Sequence, residues 1–220
     1  MLKLYGFASS NYFNMVKLVL LEKGLAFEEV LLHGCQNPEI LAKSPRGKIP
    51  ILETPEGFVS ETDVIIGYLE EAAGGLPLMP ASPFERAQVK ALAKEIELYI
   101  ELPARVCYVE AFFGGRETPA VLKAKARRDL IKGFAALAAR GRFCPYVAGA
   151  QFTIADVYFL YSVDLAQQVG QKLFGIDLME AMPKAQALLE LLSTRPCVEQ
   201  VAAGRALDAP LFLARLQAAG

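Results

Sequence analysis

The sequence lacks the features that mark nucleic-acid binding and membrane insertion. Its 220 residues carry a net charge of −1, so no basic surface is expected to neutralise phosphates. No apolar run reaches the roughly 18 residues of a membrane span, and the long uncharged stretch 143–155 is broken by proline and glycine. The N-terminal segment alternates like a strand and then turns polar, so we expect no secretory signal. Neither a nucleic-acid partner nor a membrane partner is therefore expected.

The sequence also lacks the histidine and cysteine patterns that bind metals. It contains one histidine, His33, and its four cysteines stand far apart, with no C-x-x-C pair. These cysteines are Cys35, Cys107, Cys144 and Cys197. We therefore expect no metal site, no tightly bound cofactor, and free thiols in the reducing cytoplasm.

Apolar residues, by contrast, are plentiful. Hydrophobic side chains make up 54% of the chain and charged ones 21%, which is more apolar than the usual soluble domain. This composition is typical of a compact, largely helical protein with apolar surface left over for a ligand or a partner. The length allows one large domain or two small ones.

The first third of the chain alternates between strand and helix patterns. Strands are predicted at 2–5, 27–31, the end of 44–52, and 58–60; helices are predicted at 12–23, 38–43 and 62–73. Gly24 and the glycine pair 74–75 are natural stops for two of these helices. The order β-α-β-(α)-β-β-α is that of a thioredoxin-like α/β domain, whose first two strands should be parallel.

A proline-rich segment separates this pattern from a helical one. Helices are predicted over 84–113, 119–140, 154–169 and 183–192, followed by a weaker C-terminal stretch. We therefore expect a thioredoxin-like domain over 1–76, a linker over 77–83 and an all-α helical C-terminal domain over 84–220. Thr153 and Asp156 have the spacing of a capping box at the start of the helix 154–169, which is a structural role.

Four segments together resemble one known family. Residues 44–50 (SPRGKIP) resemble a loop of the form N/S-P-x-G-x-V/I-P, and residues 60–65 (SETDVI) resemble a segment of the form E/Q-S/T-x-A-I. Residues 10–20 resemble a serine that precedes a V-R/K-L-x-L helix, and residues 152–156 resemble an S/T-x-A-D folding motif. In this order and at these separations, the segments resemble the cytosolic glutathione transferase (GST) family, in particular its serine-type, bacterial-like members.

The resemblance implies where glutathione binds in the N-terminal domain. It implies a cis bond at Ile49-Pro50, which turns the N–H and C=O of Ile49 toward the cysteine portion of glutathione. It also implies that Thr62 takes the γ-glutamyl carboxylate and Glu61 the ammonium, as exposed N–H groups at a helix N-terminus allow. The alternative is a purely structural role for this segment, in which Ser60 or Thr62 is the N-cap of the helix. Lys48, or less favourably His33, is the candidate for the glycine carboxylate.

The family chemistry requires the glutathione thiol to ionise. Lowering its pKa from about 8.5 to about 6.5 needs about 2.7 kcal/mol of preferential thiolate stabilisation. A helix N-terminus contributes about 0.3–1 kcal/mol, whereas one hydrogen bond to a charged group contributes about 1.5–3 kcal/mol. The resemblance implies that Ser10 is this donor. Ser9, Asn11 and Tyr5 are alternatives, Ser9 and Asn11 are also candidates for contact with glutathione, and Ser10 has a purely structural interpretation as the N-cap of the first helix.

The second substrate should be an electrophile bound between the domains. The candidate lining residues, on the first long helix, are Tyr99, Val106, Tyr108 and Phe112. The resemblance implies a cytoplasmic homodimer that uses glutathione as a co-substrate, with a role in detoxification. Glutathione-dependent isomerase, dehalogenase or peroxidase activity, and a non-catalytic interaction module of the same fold, are the alternatives.

Overall fold

A computed structural model of the protein describes residues 1–219, which form two compact units. The first contains Met1–Leu78 together with the chain from Arg195 onward, and the second is Met79–Thr194. The contacts thus group the C-terminal segment with the first unit, although the sequence pattern placed it in the helical domain. The boundaries 1–76, 77–83 and 84–220 stay a prediction.

The first unit has the predicted thioredoxin-like order of elements. Its strands are β1 (Leu2–Gly6), β2 (Phe27–Leu31), β3 (Ile51–Thr54) and β4 (Gly57–Ser60). Its helices are α1 (Asn11–Glu22), α2 (Pro38–Leu41) and α3 (Thr62–Glu71). The strand order in the sheet is β2-β1-β3-β4. The β1–β2 pair is parallel, as predicted, and the β1–β3 and β3–β4 pairs are antiparallel.

The core of this unit lies between the sheet and the helices α1 and α3. Leu4 and Leu52 on the sheet, Val16 on α1 and Ile65 on α3 are fully buried. Helix α1 ends at Glu22, and Gly24 stops it as predicted, because Gly24 adopts a φ of +68° that other residues avoid. The N–H of Leu25 then donates to the carbonyl of Leu20 at 2.9 Å, as in a Schellman motif.

A buried ion pair fixes the end of the first unit. The Nζ of Lys23 lies 2.8 Å from Oε1 of Glu70, and the two side chains are 1% and 5% exposed. Lys23 also donates to the carbonyl of Leu76 at 3.0 Å, and the N–H of Leu78 donates to Glu70 at 3.1 Å. The bonds to the backbone of Leu76 and Leu78 satisfy the buried charges and hold this segment in place.

The second unit is built from helices around a buried central helix. The helices are α4 (Pro83–Ile96), α5 (Leu102–Arg105), α6 (Tyr108–Phe113), α7 (Ala120–Arg140), α8 (Ile154–Val169) and α9 (Pro183–Ser193). Two π-helical segments, Glu97–Glu101 and Gly170–Phe174, follow α4 and α8. Helix α8 packs against α4, α5, α6 and α9, and most of its residues are buried.

The single helix predicted over 84–113 is wrong, because the chain breaks it into α4, a π-helical segment, α5 and α6. Pro103 has no N–H, so the carbonyl of Tyr99 has no α-helical partner four residues ahead. That carbonyl faces α7 at Gly133, where a Cβ atom would lie 2.2 Å from it. The proline and the close approach at Gly133 together account for the break.

The C-terminal segment forms one long helix, α10 (Pro196–Ala219), where the sequence predicted only a weak helical stretch. Arg195, just before this helix, donates to the carboxylate of Glu22 on α1 at 3.0 and 2.6 Å. Within residues 1–219, no helix is both long and apolar enough to cross a bilayer.

Candidate functional site

Three predicted site segments meet at one edge of the sheet. The register places Tyr5 of β1 beside Ile51 of β3, and Ile51 beside Ser60 of β4. Because β3 runs antiparallel to its neighbours, the loop after β1, the residues before β3 and those after β4 share this edge. Neighbouring strands lie about 4.8 Å apart, so these three segments span about 10 Å. That is also the length of an extended tripeptide.

Ser10 is the N-cap residue of α1. Its Oγ accepts the N–H of Phe13 at 3.5 Å, and its carbonyl accepts the N–H of Asn14 at 3.0 Å. The structural role expected for Ser10 is therefore present. A hydroxyl group has two acceptor lone pairs and one proton, so capping leaves the proton available for a ligand.

The other candidates in this loop have different surroundings. The N–H of Ser9 donates to Oδ2 of Asp208 on α10 at 2.7 Å. The Oγ of Ser9 is buried and has no hydrogen-bond partner within residues 1–219. Asn11 is buried at the first position of α1. The side chain of Asn14, one turn later, donates to the carbonyl of Ala8 at 2.8 Å.

Tyr5 is engaged on the sheet and does not fit the role of thiol donor. Its hydroxyl donates to the carboxylate of Glu53, which also pairs with Lys3 at 3.4 Å. This hydrogen bond is the main cause that raises the pKa of Tyr5 to about 12. Lys43 lies 5.0 Å from the centre of the same ring. The hydroxyl of Tyr5 on β1 is thus occupied by its hydrogen bond to Glu53 on β3.

The loop before β3 has the predicted cis bond at Ile49-Pro50. Lys48 is exposed, and its N–H donates to Oγ of Ser44 at 3.2 Å. Gly47 has a φ of +60°, and a Cβ atom at this position would lie 1.9 Å from the carbonyl of Cys35. Only glycine allows this contact between the loop after β2 and the loop before β3.

His33 lies beside the loop after β1. Its ring centre is 4.6 Å from that of Phe7, and Phe7 in turn stacks on Phe212 of α10 at 5.1 Å. Burial is the main cause that lowers the pKa of His33, and the positive charge of Arg215 acts in the same direction. A neutral imidazole is a weaker partner for a carboxylate than the exposed ammonium of Lys48.

The start of α3 is open. Glu61, rather than Ser60 or Thr62, is the N-cap residue, and its φ of +71° is unusual for a residue other than glycine. The side chain of Glu61 makes no capping hydrogen bond, and the helix start is open in this sense. Glu61 is exposed, whereas Thr62 is buried. Strained backbone of this kind is typical of ligand-binding positions.

The four predicted lining residues of the second unit fall in two places. Tyr99 and Val106 line a cavity of about 630 Å³ together with Leu102 and residues of α7. Tyr108 and Phe112 instead pack edge-on at 5.3 Å, and the hydroxyl of Tyr108 donates to Glu101 at 2.9 Å. The break in the first long helix separates the two pairs.

Glu101 was not identified from the sequence. It is fully buried and accepts hydrogen bonds from Arg105 at 2.6 Å and Tyr108 at 2.9 Å. Burial raises the pKa of this carboxyl, and the charge of Arg105 opposes the shift. Nothing in the sequence pattern distinguishes Glu101 from Glu95 and Glu97, which are partly exposed.

The capping box at the start of α8 is confirmed, and it is more extensive than predicted. The N–H and hydroxyl of Thr153 donate to Oδ2 of Asp156 at 2.8 and 3.1 Å. The N–H of Val147 donates to Oδ1 of Asp156 at 2.8 Å, a contact the sequence did not indicate. Burial raises the pKa of Asp156 to about 6, although these hydrogen bonds favour the charged form.

Comparisons with known proteins agree with this architecture. The fold and the sheet-edge site define a thioredoxin-like domain joined to a helical domain. Residues 4–77 match the model of the glutathione S-transferase N-terminal domain, and residues 76–196 match that of the C-terminal domain. The chain therefore belongs to the glutathione S-transferase family.

Individual relatives support this assignment. A glutathione S-transferase of Pseudomonas putida is 55% identical over 213 residues, which cover 97% of this chain and 96% of the relative. A glutathione transferase of Populus trichocarpa has a TM-score of 0.75 at 25% identity, covering 93% of this chain and 99% of its own. A maleylacetoacetate isomerase of Methylobacterium extorquens, solved with malonate and GSH bound, has a TM-score of 0.68 at 29% identity, with 90% and 95% coverage.

Proposed function

We propose that this protein is a glutathione transferase that binds glutathione across the sheet edge and transfers its sulfur to an electrophile. The observation that carries the proposal is the alignment of three segments along that edge: the loop with Ser10, the cis Ile49-Pro50 bond, and the open helix start at Glu61 and Thr62. Their span of about 10 Å suits an extended tripeptide.

Each part of glutathione has a partner of matching chemistry in this proposal. The γ-glutamyl carboxylate binds the first N–H groups of α3 and the hydroxyl of Thr62, where the helix dipole favours an anion. The γ-glutamyl ammonium pairs with the exposed carboxylate of Glu61. The backbone of the cysteinyl residue pairs with the N–H and C=O of Ile49. The glycine carboxylate extends toward Lys48.

The thiol lies against the N-terminus of α1. The hydroxyl proton of Ser10, which helix capping does not use, donates to the sulfur and stabilises the thiolate. One such bond supplies about 1.5–3 kcal/mol, and the helix N-terminus adds about 0.3–1 kcal/mol. Together they meet the requirement of about 2.7 kcal/mol for a thiol pKa near 6.5. The thiolate then attacks an electrophilic carbon, and the new C–S bond forms as the leaving group departs with its electrons.

The electrophile is assigned to the second unit. Tyr99 and Val106 line a cavity within the usual size range of small-molecule sites. Tyr108 and Phe112 form the other aromatic candidate. Replacement of Val106 by Glu and of Phe112 by Ala tests the two places separately, because only the variant that alters the pocket raises the KM for the electrophile.

A homodimer in the cytoplasm, with a role in detoxification, completes the proposal. The second unit also exposes large apolar side chains that do not line its cavity of about 630 Å³, among them Phe84, Val109 and Val121, and exposed apolar surface favours an interface. The four free cysteines suit a reducing compartment. Sedimentation should give twice the chain mass of 24.0 kDa; a monomer at micromolar concentration would contradict the dimer.

The experiment that tests the function is a combined binding and turnover assay. Calorimetry with glutathione is expected to give saturable binding below millimolar concentration. A panel of aryl halides, enones, organic peroxides and disulfides, each with glutathione, then identifies the reaction. Failure to bind glutathione at millimolar concentration contradicts the proposal and favours an interaction module. Binding without turnover of any panel member contradicts the catalytic part alone.

A further inference from the structure

Helix α10 brings a carboxylate onto the loop that carries Ser10. The Oδ2 of Asp208 accepts the N–H of Ser9 at 2.7 Å, although the two residues are 199 positions apart in the sequence. Asp208 is half-buried, so water competes only partly for this bond. A hydrogen bond from a backbone N–H to an ionised carboxylate belongs to the short and strong class.

The rest of the loop is held from within the N-terminal segment. The N–H of Ser10 donates to the carbonyl of Phe7 at 3.0 Å. The side-chain amide of Asn14 donates to the carbonyl of Ala8 at 2.8 Å. The first bond holds the peptide between Ser9 and Ser10. The second holds only the carbonyl side of the peptide between Ala8 and Ser9, whose N–H has no partner from the loop. Asp208 supplies that partner, one residue before the hydroxyl assigned to the thiolate.

Asp208 is itself held firmly in place. Arg195 pairs with Glu22 of α1 at 2.6 Å just before the start of α10. Phe212, one turn beyond Asp208 and on the same face of α10, stacks on Phe7 at 5.1 Å with an angle of 27° between the rings. The helix is anchored on both sides of Asp208, which keeps this residue beside the loop, and the bond to the N–H of Ser9 orients its carboxylate.

The charge of Asp208 gives no help to a thiolate. A second negative charge nearby disfavours ionisation of the thiol. Arg215 lies further along α10, and its charge and that of Asp208 act on His33 in opposite directions. The useful property of Asp208 is therefore its capacity to accept the N–H of Ser9, which an asparagine side chain shares.

We propose that Asp208 is a positioning residue that fixes the Ser9 peptide and so aims the Ser10 hydroxyl at the sulfur of glutathione. The inference rests on the proposed function, because it concerns the same hydroxyl. It assigns to the C-terminal helix a part in preparing the glutathione site of its own chain.

The test measures how readily bound glutathione ionises. Thiolate absorbance is titrated against pH in the glutathione-saturated protein, and kcat and KM are measured with an aryl halide. Asp208→Ala should raise the pKa of the bound thiol by about one unit, from about 6.5 to about 7.5, and lower kcat at pH 7 about threefold, because the thiolate fraction falls from about three quarters to about one quarter. The KM for glutathione should change by less than about twofold, because the groups proposed to bind its backbone are untouched.

Two further variants separate positioning from folding. Asp208→Asn keeps an acceptor for the N–H of Ser9, so its bound thiol should titrate at or below the wild-type pKa. Glu199→Ala removes an exposed carboxylate from the same helix and should leave both thiol pKa and kcat unchanged. In a Ser10→Ala background, Asp208→Ala should produce no additional shift, because coupled residues do not act additively.

Several results would overturn the inference. An unchanged thiol pKa in Asp208→Ala would do so, as would an Asp208→Asn variant no better than Asp208→Ala. An equal further shift in the Ser10→Ala background would show that Asp208 does not act through Ser10. If Ser10→Ala itself leaves the thiol pKa unchanged, the assignment of Ser10 fails together with this inference. If Ser10→Ala raises the thiol pKa and Asp208→Ala does not, this inference alone is overturned.

Discussion

The N-termini of α8 and α3 both present backbone N–H groups that have no partner within the helix, but the two sites use them differently. At α8, the side chain of Thr153 accepts the N–H of Asp156, and the carboxylate of Asp156 accepts the N–H groups of Thr153 and Val147 in a buried setting, so protein groups close the cap. At α3, Glu61 has a positive φ, is exposed and caps nothing with its side chain. The free N–H groups of a helix start stabilise packing where a side chain closes them, and they can bind an anion where they are left open.

The closed cap should be the more costly one to remove. Asp156→Ala should lower the free energy of unfolding by about 2–5 kcal/mol at pH 7. About 1–2 kcal/mol comes from the lost cap, and about 1–3 kcal/mol comes from buried N–H groups left without an acceptor. Urea unfolding measures the change. Asp156→Asn keeps one acceptor and serves as the control, so its unfolding free energy should lie between those of the wild type and Asp156→Ala. A loss below 1 kcal/mol in Asp156→Ala would contradict the structural role of this cap.

At the start of α1, the hydroxyl oxygen of Ser10 caps the helix and its proton is available to a ligand. The loss of this hydroxyl should therefore affect catalysis more than stability. Ser10→Ala should raise the pKa of the bound thiol by about one to two units, because one charge-assisted hydrogen bond of about 1.5–3 kcal/mol is lost. From a pKa near 6.5, the smaller thiolate fraction should lower kcat at pH 7 about 4- to 40-fold. The unfolding free energy should fall by only about 1 kcal/mol. Steady-state kinetics and urea unfolding of the same preparation give both values.

Ser9→Ala is the matched control for that measurement. The Oγ of Ser9 is buried without a partner in the described chain, so its removal should leave kcat within about threefold of wild type, since a change of this size is below 1 kcal/mol. A large effect in Ser9→Ala with none in Ser10→Ala would exchange the two assignments.

The smallest effect is expected at Tyr5, which belongs to neither helix start. Tyr5→Phe should leave the pKa of bound glutathione and kcat unchanged, because the phenol is committed to Glu53. Its raised pKa, about 12, also means that no ionisation of Tyr5 should appear in rate profiles below pH 10. Rate profiles of the wild type and of Tyr5→Phe check this, and loss of a basic limb in the variant would contradict it.

The sequence predicted the features that depend on local pattern. Each element of the first unit and the capping box of Thr153 and Asp156 follow from a few consecutive residues. The cis bond at Ile49-Pro50 was implied by the family resemblance, because the pair taken alone favours trans. Once these elements form the sheet, the order and direction of β1, β3 and β4 place the three site segments at the same edge. The sequence did not indicate the contact of Asp208 with Ser9, because it joins residues 199 positions apart.

Other misses have the same origin in tertiary structure. The break in the helix 84–113 depends on Pro103 and on the close approach of Gly133 to Tyr99, and only the proline is visible locally. Glu61 is the cap of α3 in place of Ser60 or Thr62 because its positive φ turns the chain at the end of β4, which propensity does not predict. The roles of the remaining predicted site residues stay predictions until they are measured.

The open start of α3 is proposed to bind the γ-glutamyl end of glutathione, and calorimetry with two ligands tests this proposal. Glutathione and cysteinylglycine, which lacks the γ-glutamyl group, are each titrated into the wild type and into Thr62→Ala. Thr62→Ala should weaken glutathione binding about tenfold, because a hydrogen bond to a charged group is lost, and should leave cysteinylglycine binding unchanged. Equal affinity of the two proteins for glutathione, or equal weakening for both ligands, would contradict it.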